Sequence, residues 1–218
     1  NLYFNDKNII IENDKFTFWT KIPNGNFIDY EKVVPKDIKY RVIIDNDIIT
    51  EALKFFIEFT RVNKWRKTGI IWWNLIDCWP QFSDAVVDYY YEKKLAFHYI
   101  VNLQKPLCLI IAEANGWTSN VVLANDGDRN FSGEYRIIDG LTESTIGAGK
   151  FVSRANENAV LCEVDVSKNI EKYFILLAET DEGEVFVNHY VNIGGALNKK
   201  NYRNFLKNFS RYCADIKL

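Results

Sequence analysis

The chain has 218 residues, 48% hydrophobic and 15% aromatic, with 27 Lys and Arg against 29 Asp and Glu for a net charge of −2. That is apolar enough to bury a core, and the near-neutral balance gives no electrostatic reason to bind nucleic acid, a polyanion or an anionic membrane surface. Its apolar runs are broken by charge well short of the roughly 18 residues a bilayer span needs. No signal peptide stands at Asn1, but the natural N-terminus is expected upstream, so that says little about secretion, and the expected setting is cytoplasmic.

From Asn1 to about Ile44 there is little periodicity. Pro23, Asn24-Gly25-Asn26 and Pro35 mark turns, so this part is expected to be loop with short helical or extended pieces. Its aromatics Phe16, Phe18, Trp19, Phe27 and Tyr30 are placed either against neighbouring structure or along a cleft wall. A helix is expected from about Asp47 to Arg66, where Ile49, Ala52, Leu53, Phe56, Phe59 and Val62 recur at helical spacing and Asp45 or Asn46 can cap the start. Lys64, Arg66 and Lys67 then form a solvated basic end that complements the helix dipole.

Next comes Gly69-Ile70-Ile71-Trp72-Trp73-Asn74-Leu75-Ile76-Asp77-Cys78-Trp79-Pro80. As a strand, Gly69, Ile71 and Trp73 face one way and Ile70, Trp72 and Asn74 the other, with Asp77 and Trp79 past its end. A run apolar on both faces suits a parallel strand covered by helices, and in such folds ligand groups gather at the carboxyl ends of strands. Trp72 is expected in the core. Asp84 and Asp88 are expected as caps, and Glu92 to Leu103 as a helix with Leu95, Phe97 or His98, Tyr99 and Val101 inward.

Beyond Lys105-Pro106, seven short strands are expected: Leu107 to Glu113, Ser119 to Asn125, Gly133 to Asp139, Thr145 to Val152, Ala159 to Val166, Tyr173 to Glu179 and Val185 to Val191. Turns such as Asn125-Asp126-Gly127 and Asp181-Glu182-Gly183 separate them, as in an immunoglobulin-like sandwich. Tyr135 and Ile137 alternate with Glu134 and Arg136; Val160, Cys162, Val164 and Val166 alternate with Leu161, Glu163 and Asp165. After Gly194-Gly195 a helix from about Asn198 carries an apolar stripe of Tyr202, Phe205, Leu206, Phe209, Tyr212 and Cys213. The four cysteines, Cys78, Cys108, Cys162 and Cys213, are widely spaced, so free thiols are expected, with a Cys108 to Cys162 bridge as the alternative. With His98 and His189 the only histidines, neither a His-dependent triad nor a multi-His metal site can be assembled, and no cofactor is implied.

Read together, Gly69, Trp73, Asp77 and Trp79-Pro80, then Ser83, Asp88-Tyr89 and Lys94, resemble glycoside hydrolase family two in its β-mannosidase-like branch. There a Gly-x-x-x-Trp-x-x-x-Asp-x-Trp-Pro strand is the eighth of a (β/α)8 barrel, followed by a Ser-x-x-x-x-Asp-Tyr loop, a Lys-bearing closing helix and a β-sandwich. Asn188-His189-Tyr190 and the C-terminal helix resemble the tail of the same branch. One departure is Ile76, where the family often has Asn. The resemblance implies an α+β multidomain chain: a (β/α)8 barrel segment over residues 1–104, a sandwich over 105–194 and a C-terminal helix over 195–218. A full barrel usually takes about 250 residues, so 218 residues that also hold a sandwich make a part of one.

The resemblance further implies a retaining exo-glycosidase, with a β-mannoside as first substrate and a β-galactoside or β-glucuronide behind it. Such enzymes need two carboxylates about 5 to 5.5 Å apart, which the family draws from its fourth and seventh barrel strands. Neither strand is recognisable here, and the chain is expected to begin just downstream of the nucleophile, so no catalytic residue is assigned. The substrate-binding candidates are Trp73, whose indole can floor a pyranose, Asp77, Trp79 at the rim, and Asn74. Asp77 could equally fix the Trp79 loop, Asn74 could be structural, and Lys94 is expected in an ion pair. The implied partners are a carbohydrate and the remaining N-terminal part of the glycosidase, with self-association through uncovered apolar surface. A non-catalytic carbohydrate-binding module stays open as the second reading.

Overall fold

A computed structural model describes residues 10–12, 15–17, 19–21, 27–29, 38–79, 85–167, 170–192 and 198–213, with side chains from residue 50 onward except Lys199. Two compact units are present: residues 1–54 with 71–99, and residues 55–70 with 100–218.

In the first unit, β1 (Ile10–Glu12) pairs antiparallel with β2 (Lys15–Thr17), and β3 (Trp19–Lys21) with β4 (Phe27–Asp29). The early aromatic side chains lie outside the described residues. Helix α1 (Ile38–Val62) starts well before the expected Asp47. Asp45 and Asn46, expected as caps, lie inside it, because propensity at one or two positions is a weak prior against a long helix. Its buried face also differs from the expected stripe. Thr50, Leu53, Lys54, Ile57, Glu58 and Arg61 are buried, whereas Phe56 is half exposed. The spacing is helical, but charged residues share the inner face.

The second unit contains all seven expected strands: β5 (Leu107–Ile111), β6 (Thr118–Asn125), β7 (Phe131–Asp139), β8 (Thr145–Ser153), β9 (Asn158–Asp165), β10 (Lys172–Thr180) and β11 (Val185–Asn192). They form a three-stranded sheet, β5-β6-β9, and a four-stranded sheet, β11-β10-β7-β8, antiparallel throughout. Leu109 and Leu123 from the first sheet and Ile137 and Leu176 from the second meet in one core. This is the expected immunoglobulin-like sandwich.

Strand β9 departs from simple alternation at a register shift, as the β7–β8 ladder does between Ile137 and Ile138. Val121 pairs with Cys162 but Val122 with Val160, leaving Leu161 as an extra residue. The β-bulge turns Leu161 toward the core and leaves Val160 exposed, opposite to the period-two expectation.

Helix α2 (Leu95–Leu103) begins three residues later than expected; Ala96, Tyr99, Ile100 and Leu103 are buried and Val101 is outward. Helix α3 (Lys199–Phe209) starts at Asn198, whose side chain accepts hydrogen bonds from the N–H groups of Lys200 and Asn201. Tyr202, Phe205, Leu206, Phe209 and Cys213 of its expected stripe are buried and Tyr212 is partly buried, Tyr212 and Cys213 lying beyond the helix end; Phe205 stacks on Tyr173 at 5.1 Å, and Phe209 meets the His189 ring at 4.7 Å. Gly140 makes room for it, since a Cβ there would lie 2.6 Å from the Phe205 ring. None of the four cysteines is in a disulfide, so Cys108 and Cys162 are not bridged. No described helix is long and apolar enough to cross a membrane.

Candidate functional site

The stretch 69–75 is not a strand among the described residues. A strand needs a neighbour to complete its ladder, and no described strand lies beside it. Order begins one step later. Ile76 bridges Val87 in parallel, and Val87 bridges Lys93 antiparallel. Asp77 N–H donates to Val87 O (3.1 Å), Val87 N–H to Leu75 O (3.0 Å) and Lys94 N–H to Val86 O (3.0 Å). Three short segments are thus tied around Asp77.

The Asp77 side chain is fully buried, and its Oδ2 accepts from Lys94 Nζ at 2.7 Å. Sequence reasoning left Asp77 between a sugar contact and an anchor for the Trp79 loop. In the structure that carboxylate is engaged by Lys94, in the ion pair expected of the lysine. A buried carboxylate requires such a partner. Asp88 does not cap a helix. Its Oδ1 accepts from the N–H groups of Tyr90 and Glu92, both at 2.8 Å, and so fixes the tight turn that carries Tyr89, Tyr90 and Tyr91. Asp84 lies outside the described residues.

Trp73 is 77% exposed, as are Ile71 at 98% and Leu75 at 60%, while Trp72 is partly buried. Trp79 is 41% exposed. Asn74 is partly buried, its Oδ1 is shielded and meets no donor among the described residues, and the Trp73–Asn74 peptide is cis. An exposed indole beside an unanswered amide oxygen can stack on the C–H face of a sugar and take a hydrogen bond from a hydroxyl. Among the described residues no three His, Cys, Asp or Glu side chains gather as a metal site.

Sequence reasoning missed the polar groups at the end of α1. Lys64, expected in solvent, stands 2.5 Å from Asp126 Oδ1, and Arg61 Nε stands 2.7 Å from Asp126 Oδ2. Asn125 shapes the turn, accepting from Gly127 N–H (2.9 Å) and donating to Arg129 O and Arg154 O. Glu58 accepts from Asn188 at 2.6 Å. The partners lie far away in sequence, so only the alternation of buried positions along α1 could have hinted at them.

No family model matches the chain. Over 51 residues it is 39% identical to a β-mannosidase B of Emericella nidulans and 37% identical to one of Aspergillus flavus; each match covers 23% of this chain and 6% of the relative. Among solved structures, a β-D-mannosidase from Dictyoglomus thermophilum aligns with TM-score 0.62 and 23% identity over 74% of this chain and 20% of that one. An exo-chitosanase from Amycolatopsis orientalis aligns with TM-score 0.54 and 16% identity, over 66% and 18%. The chain therefore spans about 6% of the curated relatives' length in matched sequence and a fifth of the mannosidase structure in matched fold. These relatives and structural neighbours are members of glycoside hydrolase family two, and in sequence and in fold the chain is similar to that family's β-mannosidase-like branch.

Proposed function

We propose that the chain is the portion of a retaining, β-mannosidase-like exo-glycosidase that supplies the floor of the sugar site and its supporting domain. Residues 1–104 act as the closing segment of a (β/α)8 barrel, 105–194 as the sandwich and 195–218 as the helix that braces it. Trp73 is the platform, Asn74 Oδ1 an acceptor for a sugar hydroxyl, and Trp79 part of the rim. Asp77 works through Lys94, fixing the segment from which Trp79 projects. In the whole enzyme one Glu attacks the anomeric carbon while another protonates the leaving oxygen. Both carboxylates belong to other strands.

The observation that carries this reading is the exposure of Trp73 next to a buried, hydrogen-bonded Asp77. An indole packed under protein would have favoured a purely structural domain. The uncovered Ile71 and Leu75 side chains support contact with the remaining barrel, or with a second copy in its absence. Four cysteines outside any disulfide, one of them the exposed Cys78, support a reducing, cytoplasmic setting. The test is incubation with nitrophenyl β-mannoside, β-galactoside and β-glucuronide. No turnover by this chain is expected, and clear turnover would overturn the absence of the carboxylate pair.

Trp117 favours a second reading, a non-catalytic carbohydrate-binding module. It is exposed on the turn between β5 and β6, where Asn115 N–H donates to Thr118 O. Sugar binding followed by tryptophan fluorescence separates the two. Loss in Trp73→Ala alone supports the barrel platform; loss in Trp117→Ala alone supports the module.

A further inference from the structure

Arg61 is 8% exposed, and a guanidinium with so little water needs its N–H groups answered. It is answered from several directions. Nη1 donates to Leu103 O and to Lys105 O (3.0 Å), and Nη2 to Pro106 O (3.0 Å) and Ala124 O (3.2 Å). Nε forms no hydrogen bond among the described residues, but it stands 2.7 Å from the Asp126 carboxylate as an ion pair, and the other carboxylate oxygen is 2.5 Å from Lys64 Nζ. Asn158 closes the arrangement by donating from Nδ2 to two carbonyls at the helix end, Arg61 O (2.9 Å), which also accepts from Lys64 N–H, and Val62 O (3.0 Å).

All of these residues belong to the second unit. The acceptors come from the last residue of α2, from the segment entering β5, from the end of β6 and from the turn after it, and Asn158 opens β9. One side chain of α1 therefore satisfies backbone carbonyls where the three-stranded sheet begins and ends. Carbonyl oxygens turned inward at such a place would be costly without it. A lysine cannot substitute, since a single ammonium offers three donors from one point whereas the guanidinium spreads five over a plane.

We infer that Leu103, Lys105, Pro106, Ala124 and Asp126 form a guanidinium socket on the sandwich, with the Arg61 turn of α1 as its cognate partner, and that the three-stranded sheet is stable only with the socket filled. The sandwich is then incomplete from residue 105 onward, and residues 58–64 are part of it. This holds whether or not Trp73 binds sugar.

The experiment is chemical rescue in the full chain. Arg61→Ala is expected to raise the unfolding equilibrium constant on the order of 10²-fold or more, because it removes the guanidinium's hydrogen bonds to four carbonyls and one of the two cations at Asp126, which Lys64 alone then pairs. Amide exchange should accelerate first in β5, β6 and β9 and last in β7 and β8. Millimolar ethylguanidinium should recover part of the loss, ethylammonium should not, and the wild type should respond to neither. If the alanine variant fails to fold in buffer, refolding yield with each additive is read instead. Arg61→Lys should stay close to the alanine variant. A lysine variant as stable as wild type, equal rescue by both amines, or no rescue at all would each overturn the socket.

Discussion

The sandwich and the tryptophan segment have similar local composition and opposite fates. Ile110, Ile137 and Ile175 on β5, β7 and β10 are fully buried, while Ile71 and Leu75 stand largely in water. Each sandwich strand finds its ladder partner and its facing sheet among the described residues. Residues 69–75 find neither, and backbone pairing begins only where Val87 donates to Leu75 O and accepts from Asp77 N–H. An apolar run thus becomes a strand through its neighbours, and hydrophobicity alone does not make one. The same run that reads most clearly as a strand is, in this chain, the least like one.

The largest effect that would sharpen this contrast lies in the closed region. Phe205 is fully buried and stacks on Tyr173 and Phe209. Phe205→Ala should cost about 3–5 kcal/mol in urea unfolding, the range for an aromatic removed from a packed core. A loss under about 1 kcal/mol would mean that α3 is a loosely held appendage. In the open region the comparable test is Asp77→Ala. Lys94 keeps a fifth of its side chain in water, so breaking the pair should cost about 2–3 kcal/mol, below the ~3–5 kcal/mol of a fully buried pair. Amide exchange should rise around residues 75–77, 86–88 and 92–94. Unchanged exchange there would show that the bridges, rather than the ion pair, hold the segment.

Those two sites also mark what the sequence discloses. The Phe205 stripe is legible because helical spacing is local, and the seven strands because alternation and turn residues are local as well. The pairing of Asp77 with Lys94 is half legible, since both residues fall within one motif. The Leu161 bulge exchanges the expected faces of Val160 and Leu161 while Cys162, Val164 and Val166 keep theirs, and one inserted residue leaves no local signature. Arg61, Lys64 and Glu58 look like ordinary solvated charges on a helix. Their burial is set by carbonyls, Asp126 and Asn188, all distant in sequence. The early start of α1 was hidden for a different reason, because Asp45 and Asn46 make good caps in isolation.

A smaller effect distinguishes the regions by acid. Burial alone would raise the pKa of Glu171, but hydrogen bonds from Tyr173 Oη (2.6 Å), Asn201 Nδ2 (2.9 Å) and Asn198 N–H (2.9 Å) outweigh it and lower the value below the usual 4.5. Asp165, beside Lys172 and Ser167, falls from 3.8 to about 2. Both carboxylates therefore contribute stability that is complete above their unfolded values and fades as pH falls through the folded ones. The sandwich and α3 should lose stability from about pH 4.5 down toward pH 2. Glu171→Gln should remove about 1–2 kcal/mol at neutral pH and flatten the upper part of that slope. An unaltered acid profile in the glutamine variant would assign the slope to other groups.

Trp73→Ala should have the smallest effect on stability and the largest on the proposed site. With three quarters of its surface already in water, the indole contributes little burial, and its removal should change unfolding free energy by less than about 0.5 kcal/mol. A core tryptophan would cost several times that, about 3–5 kcal/mol, so the measurement separates a platform from a packing residue without reference to any ligand. If the variant unfolds as the wild type does yet loses a sugar-dependent fluorescence change, the exposed ring is there to meet a ligand. If it loses stability like Phe205→Ala, the ring is covered in solution, and the contrast between the two regions disappears with it.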